Sequence, residues 1–323
     1  MRRHPRTTVA AAAALLAASS LALPGLTAAA DAAPSPAEHT VTSPDAARAA
    51  GYWTTERMRS AVPLDVVADR PAAAPANTGR HTTVAPTPAS SHPSVRSFPQ
   101  AGGPWTGGGA VVRTSGRVFF TFQGRNASCS GDAVTSGNHS TVITAGHCVK
   151  YQGSWHTNWT FAPGYHDGQA PYGTWTATKT LSTPQWTASE DMNNDIGAAV
   201  VAPLDGKRLT DVVGGQGLDF NGAYGRAMYS FGFPAASPYD GTKLIHCSGT
   251  ATKDFLLTKD HGLSCNMTGG SSGGPWFTSF DESTGTGLQA SVNSFGYTFL
   301  PNTMFGPYFG DEAKALYDSA QNT

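Results

Sequence analysis

The hydrophobic pattern divides the chain near residue 100. Beyond that point, short runs of β-branched and aromatic residues alternate with turns rich in Gly, Asn, Ser and Pro, which is typical of β-strands. The clearest predicted strands cover residues 118–122, 133–134, 142–144, 196–201, 227–231 and 288–294. Only residues 311–319 have helical spacing, with Ala313, Leu316 and Tyr317 on one face. The pattern predicts an all-β fold with a short C-terminal helix.

The first 32 residues have the pattern of a secretory signal peptide. Arg2, Arg3 and Arg6 give a positive start, an uncharged Ala/Leu-rich run covers residues 9–23, and small residues follow up to Ala32. That run is too short and too Ala-rich for a good membrane anchor, and no later apolar run reaches about 18 residues. We therefore expect a secreted, extracellular protein whose mature form has no membrane contact.

Residues 33–98 are rich in Ala, Pro, Ser and Thr, which predicts a pro-segment or a disordered Pro/Ala-rich linker. Ser43 and Pro44 indicate a helix start, with Ser43 as N-cap and Pro44 at the first helical position. A second short helix is predicted within residues 52–61. The segment has too few apolar residues for a core of its own, so we place the folded domain at residues 99–323.

Charge and cysteine content exclude several classes of protein. Only 13% of residues are charged, against about 25% in a typical domain, and the net charge is -1. No global field would draw the chain onto nucleic acid or anionic lipid. The ten His form no H-E-x-x-H pattern and there is no C-x-x-C, so we predict no metal and no cofactor. In an exported protein the four cysteines indicate disulfides, for which the sequence alone permits three connectivities.

Three short segments carry candidate chemistry. They are Thr-Ala-Gly-His-Cys ending at Cys148, Asn-Asp-Ile-Gly around Asp195, and Gly-Gly-Ser-Ser-Gly-Gly-Pro around Ser272. Each segment alone has an ordinary structural interpretation. The His beside a Cys would be a structural residue, the Asp before a strand would belong to a turn, and the Gly/Ser run would be a flexible loop. A Ser hydroxyl needs an adjacent base to attack a carbonyl, and the ordinary pKa of His, about 6.5, suits that role.

Together, in the order His, Asp, Ser, these segments resemble the chymotrypsin-like serine peptidases. The stretch from Thr268 to Gly273 is most similar to the bacterial glutamyl-endopeptidase branch. The resemblance implies two perpendicular six-stranded β-barrels with the active site between them. It also implies that Ser272 is the nucleophile, His147 the base and Asp195 the residue that orients His147, with the N–H groups of Gly270 and Ser272 forming the oxyanion hole. Ser271 competes with Ser272 as nucleophile, and Asp191 and Asp205 compete with Asp195.

The same resemblance implies further roles for residues around the site. A Cys129–Cys148 bridge would fix the His loop, and Cys247 would then pair with Cys265. The segment Ser294–Phe295–Gly296 would pair with the substrate backbone as an added strand, while Thr268 and Asn293 would line the specificity pocket, together with Met267.

Two departures from the family pattern bear on activation and specificity. Ser271 stands where trypsin and chymotrypsin have an Asp, so the usual salt bridge to a new amino terminus cannot form through that residue. No acidic residue precedes the nucleophile in 266–268, and the His typical of the glutamyl branch is absent from 292–294. A preference for a basic residue at the cleavage site would lack its counter-charge. The sequence leaves acidic, intermediate and apolar residues as alternatives at that site.

The sequence therefore predicts a secreted, monomeric serine endopeptidase, made as a zymogen, that hydrolyses peptide bonds in protein or peptide substrates through an acyl-enzyme. Its domain, residues 99–323, would be a serine peptidase domain. The alternative is a secreted noncatalytic peptidase-like or carbohydrate-binding β protein. In that case Trp155, Trp159, Trp175 and Trp186 would offer a sugar-stacking surface.

Overall fold

The alternating pattern beyond residue 100 folds into two β-rich halves, and residues 34–66 pack onto them. The structure is a computed structural model that describes Met1 and residues 34–66, 79–93 and 97–323. Apart from Met1, the predicted signal peptide lies outside the described residues. Pro34 to Thr323 form one compact unit.

The described residues before position 97 hold five short elements. They are β1 (Ala37–Thr40), α1 (Ser43–Tyr52), α2 (Thr55–Ser60), β2 (Val62–Pro63) and β3 (Thr82–Val84). The two predicted helices are thus present. The N-cap of α1 is Thr42 rather than Ser43, because the Thr42 hydroxyl accepts the backbone N–H of Asp45.

The first half of the domain follows two connecting elements, β4 (Gln100–Pro104) and α3 (Val111–Thr114). Its strands and helix are β5 (Ser115–Phe122), β6 (Arg125–Ala133), β7 (Thr141–Thr144), β8 (Lys150–Tyr151), β9 (Ser154–Trp155), β10 (Thr157–Pro163), β11 (Trp175–Ser182), α4 (Pro184–Ser189) and β12 (Gly197–Val201). Six of the strands pair antiparallel in the closed order β5-β6-β7-β12-β11-β10, which makes a barrel.

The second half begins with α5 (Leu209–Val213) and ends with α6 (Asp311–Gln321). Between them lie β13 (Gly217–Phe220), β14 (Ala227–Gly232), β15 (Ile245–Thr250), β16 (Thr252–Lys253), β17 (His261–Ser264), β18 (Pro275–Asp281), β19 (Thr286–Val292), β20 (Phe295–Tyr297) and β21 (Leu300–Gly306). They form a seven-stranded sheet in the order β3-β13-β19-β18-β14-β15-β4 and a four-stranded sheet in the order β16-β17-β21-β20. The predicted all-β class and C-terminal helix are confirmed.

A large apolar core fills the first half and extends to α5, β13 and α6 of the second half, which also has a smaller core of its own. Each half has one disulfide. Val118, Phe161 and Trp175 are fully buried in the first half, and Met228 and Trp276 in the second. Cys129 bonds Cys148 and Cys247 bonds Cys265, which are the pairings that the resemblance implies. Within the described residues, no helix has both the length and the apolar character needed to cross a membrane.

Residues 34–66, called here the leader segment, do not stand apart from the barrel. Strand β1 pairs antiparallel with β11, and Lys179 bonds Glu38 at 2.8 Å. Trp53 and Met58 are buried in one cluster with Phe119 and Tyr165. The few apolar residues of this segment therefore pack against the folded domain, since they cannot form a core alone.

Candidate active site

The His147 side chain is positioned by a tight turn. Strand β7 ends at Thr144, and a 3-10 turn at Gly146–Cys148 follows. At Gly146 an added Cβ would lie 2.7 Å from the ring of Trp186 and 3.0 Å from the Asp195 carboxylate. A side chain there would obstruct the approach of the turn to Asp195. His147 is the middle residue of this turn and is fully buried.

Asp195 follows a second 3-10 turn, Met192–Asn194, and its carboxylate is aimed at His147. The His147 ring Nδ1 lies 2.7 Å from Oδ2, and the His147 backbone N–H donates to Oδ1 at 2.8 Å. Because an ionised carboxylate only accepts hydrogen bonds, Nδ1 must carry the hydrogen of that pair. This leaves Nε2 of the neutral ring as the acceptor that a general base requires.

The competing aspartates have other positions. Asp191 caps the same turn, accepting from the backbone and side chain of Asn193 and from the side chain of Asn194. Asp205 lies in an exposed turn with a left-handed backbone. Of the three candidates, only Asp195 is hydrogen-bonded to His147 among the described residues.

Ser272 lies in a loop that two left-handed glycines shape. Gly270 has φ 94° and Gly273 has φ 80°, a region that residues with a side chain rarely adopt. Within the described chain, the N–H groups of Gly270 and Ser272 donate no hydrogen bond, so both remain available. The Ser271 hydroxyl donates to the Thr268 carbonyl at 2.8 Å, whereas the Ser272 hydroxyl is not engaged with any described residue.

The two halves meet at these residues. The Ser130 N–H donates to the Ser272 carbonyl at 2.7 Å, which ties the nucleophile loop to β6. His147 Nε2 is buried and has no hydrogen-bond partner among the described residues. Hydrogen bonds between a nucleophile and its base are often long without substrate.

One contact that the sequence analysis missed is made by the Ser294 side chain. Its hydroxyl donates to Asp195 Oδ2 at 2.5 Å. The backbone of Ser294 was predicted to pair with substrate, but nothing in the sequence showed that its side chain would reach Asp195. The carboxylate therefore accepts three hydrogen bonds in a fully buried position.

His156 is a second histidine that the sequence did not single out. Its ring stacks on Phe120 at 4.2 Å between centroids, and Nε2 lies 2.8 Å from the His147 carbonyl oxygen. Burial lowers the pKa of His156 to about 3, so the ring is neutral and Nε2–H donates. This bond fixes the backbone of the His147 turn.

The predicted pocket residue Asn293 lies elsewhere. It is fully buried; its Nδ2 donates to the carbonyls of Phe231 and Ser271, and its Oδ1 accepts from Ser230 and Trp276. Neighbouring side chains in an extended segment point to opposite sides, so Asn293 supports the nucleophile loop from behind. The expectation that it lines the pocket is corrected.

A pocket of about 220 Å³ opens beside Ser272. Thr268 and Met267, two of the expected lining residues, line it, and so do Ser294, Phe295 and Gly296. None of the lining residues beyond position 97 carries a charge. The one charged lining residue among the described part of the chain is Asp65, from the leader segment.

The tryptophans of the alternative hypothesis do not form a stacking surface. Trp159, Trp175 and Trp186 are each at most 2% exposed. Trp155 is partly buried and stacks on His39 of the leader segment at 5.4 Å. These rings fill the first half of the domain and its contact with the leader segment.

Comparison with solved structures decides the family. The chain is 45% identical to protease Anisep from Arthrobacter nicotinovorans, over 69% of this chain and all of that one, with a TM-score of 0.64. It belongs to the chymotrypsin-like serine proteases. A thermostable serine protease, AL20, from an extremophilic microorganism is 40% identical over 66% of this chain and 99% of that one, with a TM-score of 0.63. A Glu endopeptidase shares the fold, with a TM-score of 0.55 at 16% identity over 70% of this chain and 99% of that one.

Other comparisons add less. No family model matches this protease. Its sequence is 45% identical over 71 residues to an extracellular metalloprotease of Bacillus subtilis, and that match spans 22% of each protein. In the described residues, the one cluster of potential metal-binding groups is Cys129, His147 and Cys148. Both sulfurs are bonded to each other, and disulfide sulfurs lack the thiolate that binds a metal. This cluster of described residues therefore does not fit a metal site.

Proposed function

We propose that this protease is a secreted serine endopeptidase that cuts peptide bonds through Ser272, His147 and Asp195. The observation that carries the proposal is the buried Asp195 carboxylate, which holds His147 by both its backbone N–H and its Nδ1. The bond at Nδ1 fixes the tautomer and the orientation of the ring, and the bond to the backbone N–H holds the turn that carries it.

The proposed reaction has two steps with the same groups. Ser272 Oγ attacks the substrate carbonyl carbon while His147 Nε2 takes its proton, and the N–H groups of Gly270 and Ser272 bind the oxyanion. The imidazolium then protonates the leaving amine, which departs and leaves an acyl-enzyme on Ser272. Water then attacks the acyl carbon while His147 Nε2 takes its proton, and the imidazolium returns a proton to Ser272 Oγ as the bond to the acyl group breaks and the acid product leaves.

The site also supports a proposal for substrate choice. We place the side chain that precedes the cut bond in the pocket beside Ser272, with the backbone along Phe295 and Gly296. Since no lining residue beyond position 97 is charged, neither Arg or Lys nor Glu or Asp would find a counter-charge there. An uncharged side chain fits this lining best.

Secretion and synthesis as a zymogen belong to the same proposal. The two disulfides suit an oxidising compartment, and residues 1–32 have the composition of a signal peptide. Residues 33–98 would be the pro-segment and residues 99–323 the peptidase domain. No cofactor is required for the chemistry.

The test is covalent labelling of the purified protein with a fluorophosphonate probe, which reports an activated serine without a known substrate. Ser272→Ala should abolish labelling. Ser271→Ala is the matched control, because its hydroxyl is bonded to the Thr268 carbonyl, and it should retain labelling. If Ser272→Ala is still labelled, another serine is the nucleophile and the assignment of Ser272 is wrong. If no form of the parent protein is labelled after removal of its leader, the noncatalytic alternative replaces this proposal.

A further inference from the structure

The end of the leader segment reaches the candidate active site. Strand β2 lies parallel to β6, with Val62 opposite Ala127 and Pro63 opposite Ser128. The next residue, Leu64, donates its N–H to the Ser128 carbonyl at 3.1 Å. The chain is therefore held against β6 just before it reaches Ser272.

Asp65 then lies at the opening of the pocket. It lines the pocket together with Ser271 and Ser272. Its side chain lies so close to Gly269 that a Cβ added to the glycine would be 3.2 Å from the Cβ of Asp65. A substrate side chain entering the pocket would meet Asp65.

Val66 completes the crossing. It is 5% exposed, in a buried cluster with Phe295, Tyr297 and Phe305. Phe295 belongs to the segment that we propose pairs with substrate. Val66 therefore covers the surface that the substrate backbone requires.

The leader segment crosses in the direction opposite to a substrate. In the proposed mechanism, the pocket and Phe295 hold the half of the substrate that precedes the cut bond. Strand β6 contacts Ser272 on the other side, through the Ser130 N–H, and contributes no residue to the pocket. A substrate thus runs from the Phe295 side towards β6, whereas the leader runs from β6 at Leu64 to Phe295 at Val66.

We propose that residues 62–66 are a built-in inhibitor that blocks the cleft in the reverse direction and is therefore not cut by Ser272. The inference rests on the proposed function and deepens it. With the direction reversed, no leader peptide bond presents its carbonyl and its leaving amine in the order that Ser272 and His147 require.

The rest of the leader segment anchors this inhibitor. The Trp53 indole donates to the Asn158 carbonyl at 2.7 Å, and the Tyr52 hydroxyl donates to Asn126 at 2.8 Å. Ala61, directly before β2, is buried with Trp53 and Met58. Because the inhibitor is covalently attached, it competes with substrate at a high effective concentration.

The experiment compares probe labelling of the full chain with that of its Val66→Glu variant, which introduces an unpaired charge into the buried cluster. Labelling of Val66→Glu should be about tenfold faster or more. Val62→Glu is the matched control, because Val62 is 60% exposed on the same segment, and it should label as slowly as the parent chain. A parent chain that labels as fast as Val66→Glu overturns the inhibition.

Two further measurements separate the parts of the argument. Limited digestion with immobilised trypsin, which is then filtered off, should cut after exposed Arg80, so that residues 62–66 are no longer covalently attached; size-exclusion chromatography then removes the freed leader and should release full labelling. If the digested protein does not label, the proposed function itself fails. Intact-mass analysis of the stored parent chain tests direction: a cut between residues 63 and 67 that disappears in Ser272→Ala overturns the reverse orientation, and an intact leader supports it.

Discussion

Removal of the Ser294 hydroxyl is expected to slow the acylation of Ser272. Ser294→Ala deletes one of three hydrogen bonds to the Asp195 carboxylate, the one of 2.5 Å to Oδ2. The carboxylate is fully buried, so no bulk water replaces the lost donor. Hydrogen bonds to charged groups contribute about 1.5–3 kcal/mol. If this loss falls on the transition state, where Asp195 stabilises the imidazolium, the rate falls about tenfold to a hundredfold.

The assay is the second-order rate constant of fluorophosphonate labelling, measured after the leader has been removed. Ser291→Ala is a close control. Ser291 lies on β19, is fully buried, and donates to the Pro307 carbonyl at 2.8 Å. It should lose about 1 kcal/mol of stability, as expected for a neutral hydrogen bond, with no change in labelling.

The reasoning would be refuted in either of two ways. Ser294→Ala might keep the parent rate, which would mean that two hydrogen bonds from His147 suffice to hold Asp195. Alternatively, Ser291→Ala might slow labelling as much as Ser294→Ala does. The effect would then come from a general disturbance of this region and not from the bond to Asp195.

Three further predictions concern stability. Gly273→Ala should strongly destabilise the protein and abolish labelling, because its Cβ would overlap the Thr144 hydroxyl and the Ser130 carbonyl. The control Gly153→Ala, at φ 75° with open space around it, should lower the free energy of unfolding by only about 1–2 kcal/mol. Equal melting temperatures of the two variants would contradict this prediction. Burial raises the pKa of Asp132 to about 8. Between about pH 4 and 8 the folded state therefore holds a proton that the unfolded state has lost. The free energy of unfolding should fall as the pH rises through this range, by at most about 1.4 kcal/mol per pH unit. Asp132→Asn should remove this dependence, and thermal melts whose difference between variant and parent does not grow from pH 5 to pH 8 would contradict it. Replacing both Cys247 and Cys265 by Ser should lower the free energy of unfolding, measured with denaturant, by about 3 kcal/mol while labelling persists. Replacing both Cys129 and Cys148 by Ser should also slow labelling, because that bridge holds the His147 turn. Equal labelling rates in the two double variants would contradict this role.

The sequence was informative where the chemistry depends on local backbone requirements. The glycines around Ser272 mark a loop that needs left-handed conformations, and both Gly270 and Gly273 adopt them. The His147 turn and the Asp195 turn are equally local. Short segments of this kind can be identified before the fold is known, because their residue types are dictated within a few positions.

The predictions failed where the answer depends on distant residues. Asn293 and Ser294 are adjacent in sequence, yet one supports the nucleophile loop and the other bonds Asp195. Strands β10 and β11 were missed, and their tryptophans were considered as a possible sugar-binding surface. They are core residues because β10 and β11 close the barrel, and no local pattern reveals that closure.

The leader segment illustrates the same limit. Its composition indicated a pro-segment or a disordered linker, and its apolar residues are indeed too few for a core. Composition does not show that a complementary surface exists elsewhere in the chain. Trp53 and Val66 are buried only because Phe119 and Phe295 lie where the leader passes.

Neither disulfide joins the two halves of the domain. One bridge closes a loop within the first half and the other within the second, while His147 and Asp195 come from one half and Ser272 and Ser294 from the other. The reacting groups are thus assembled across a seam that no disulfide crosses in the described chain, and hydrogen bonds such as Ser130 to Ser272 and Ser294 to Asp195 hold them together. A small shift of one half against the other should therefore inactivate the protease while both disulfide loops stay closed.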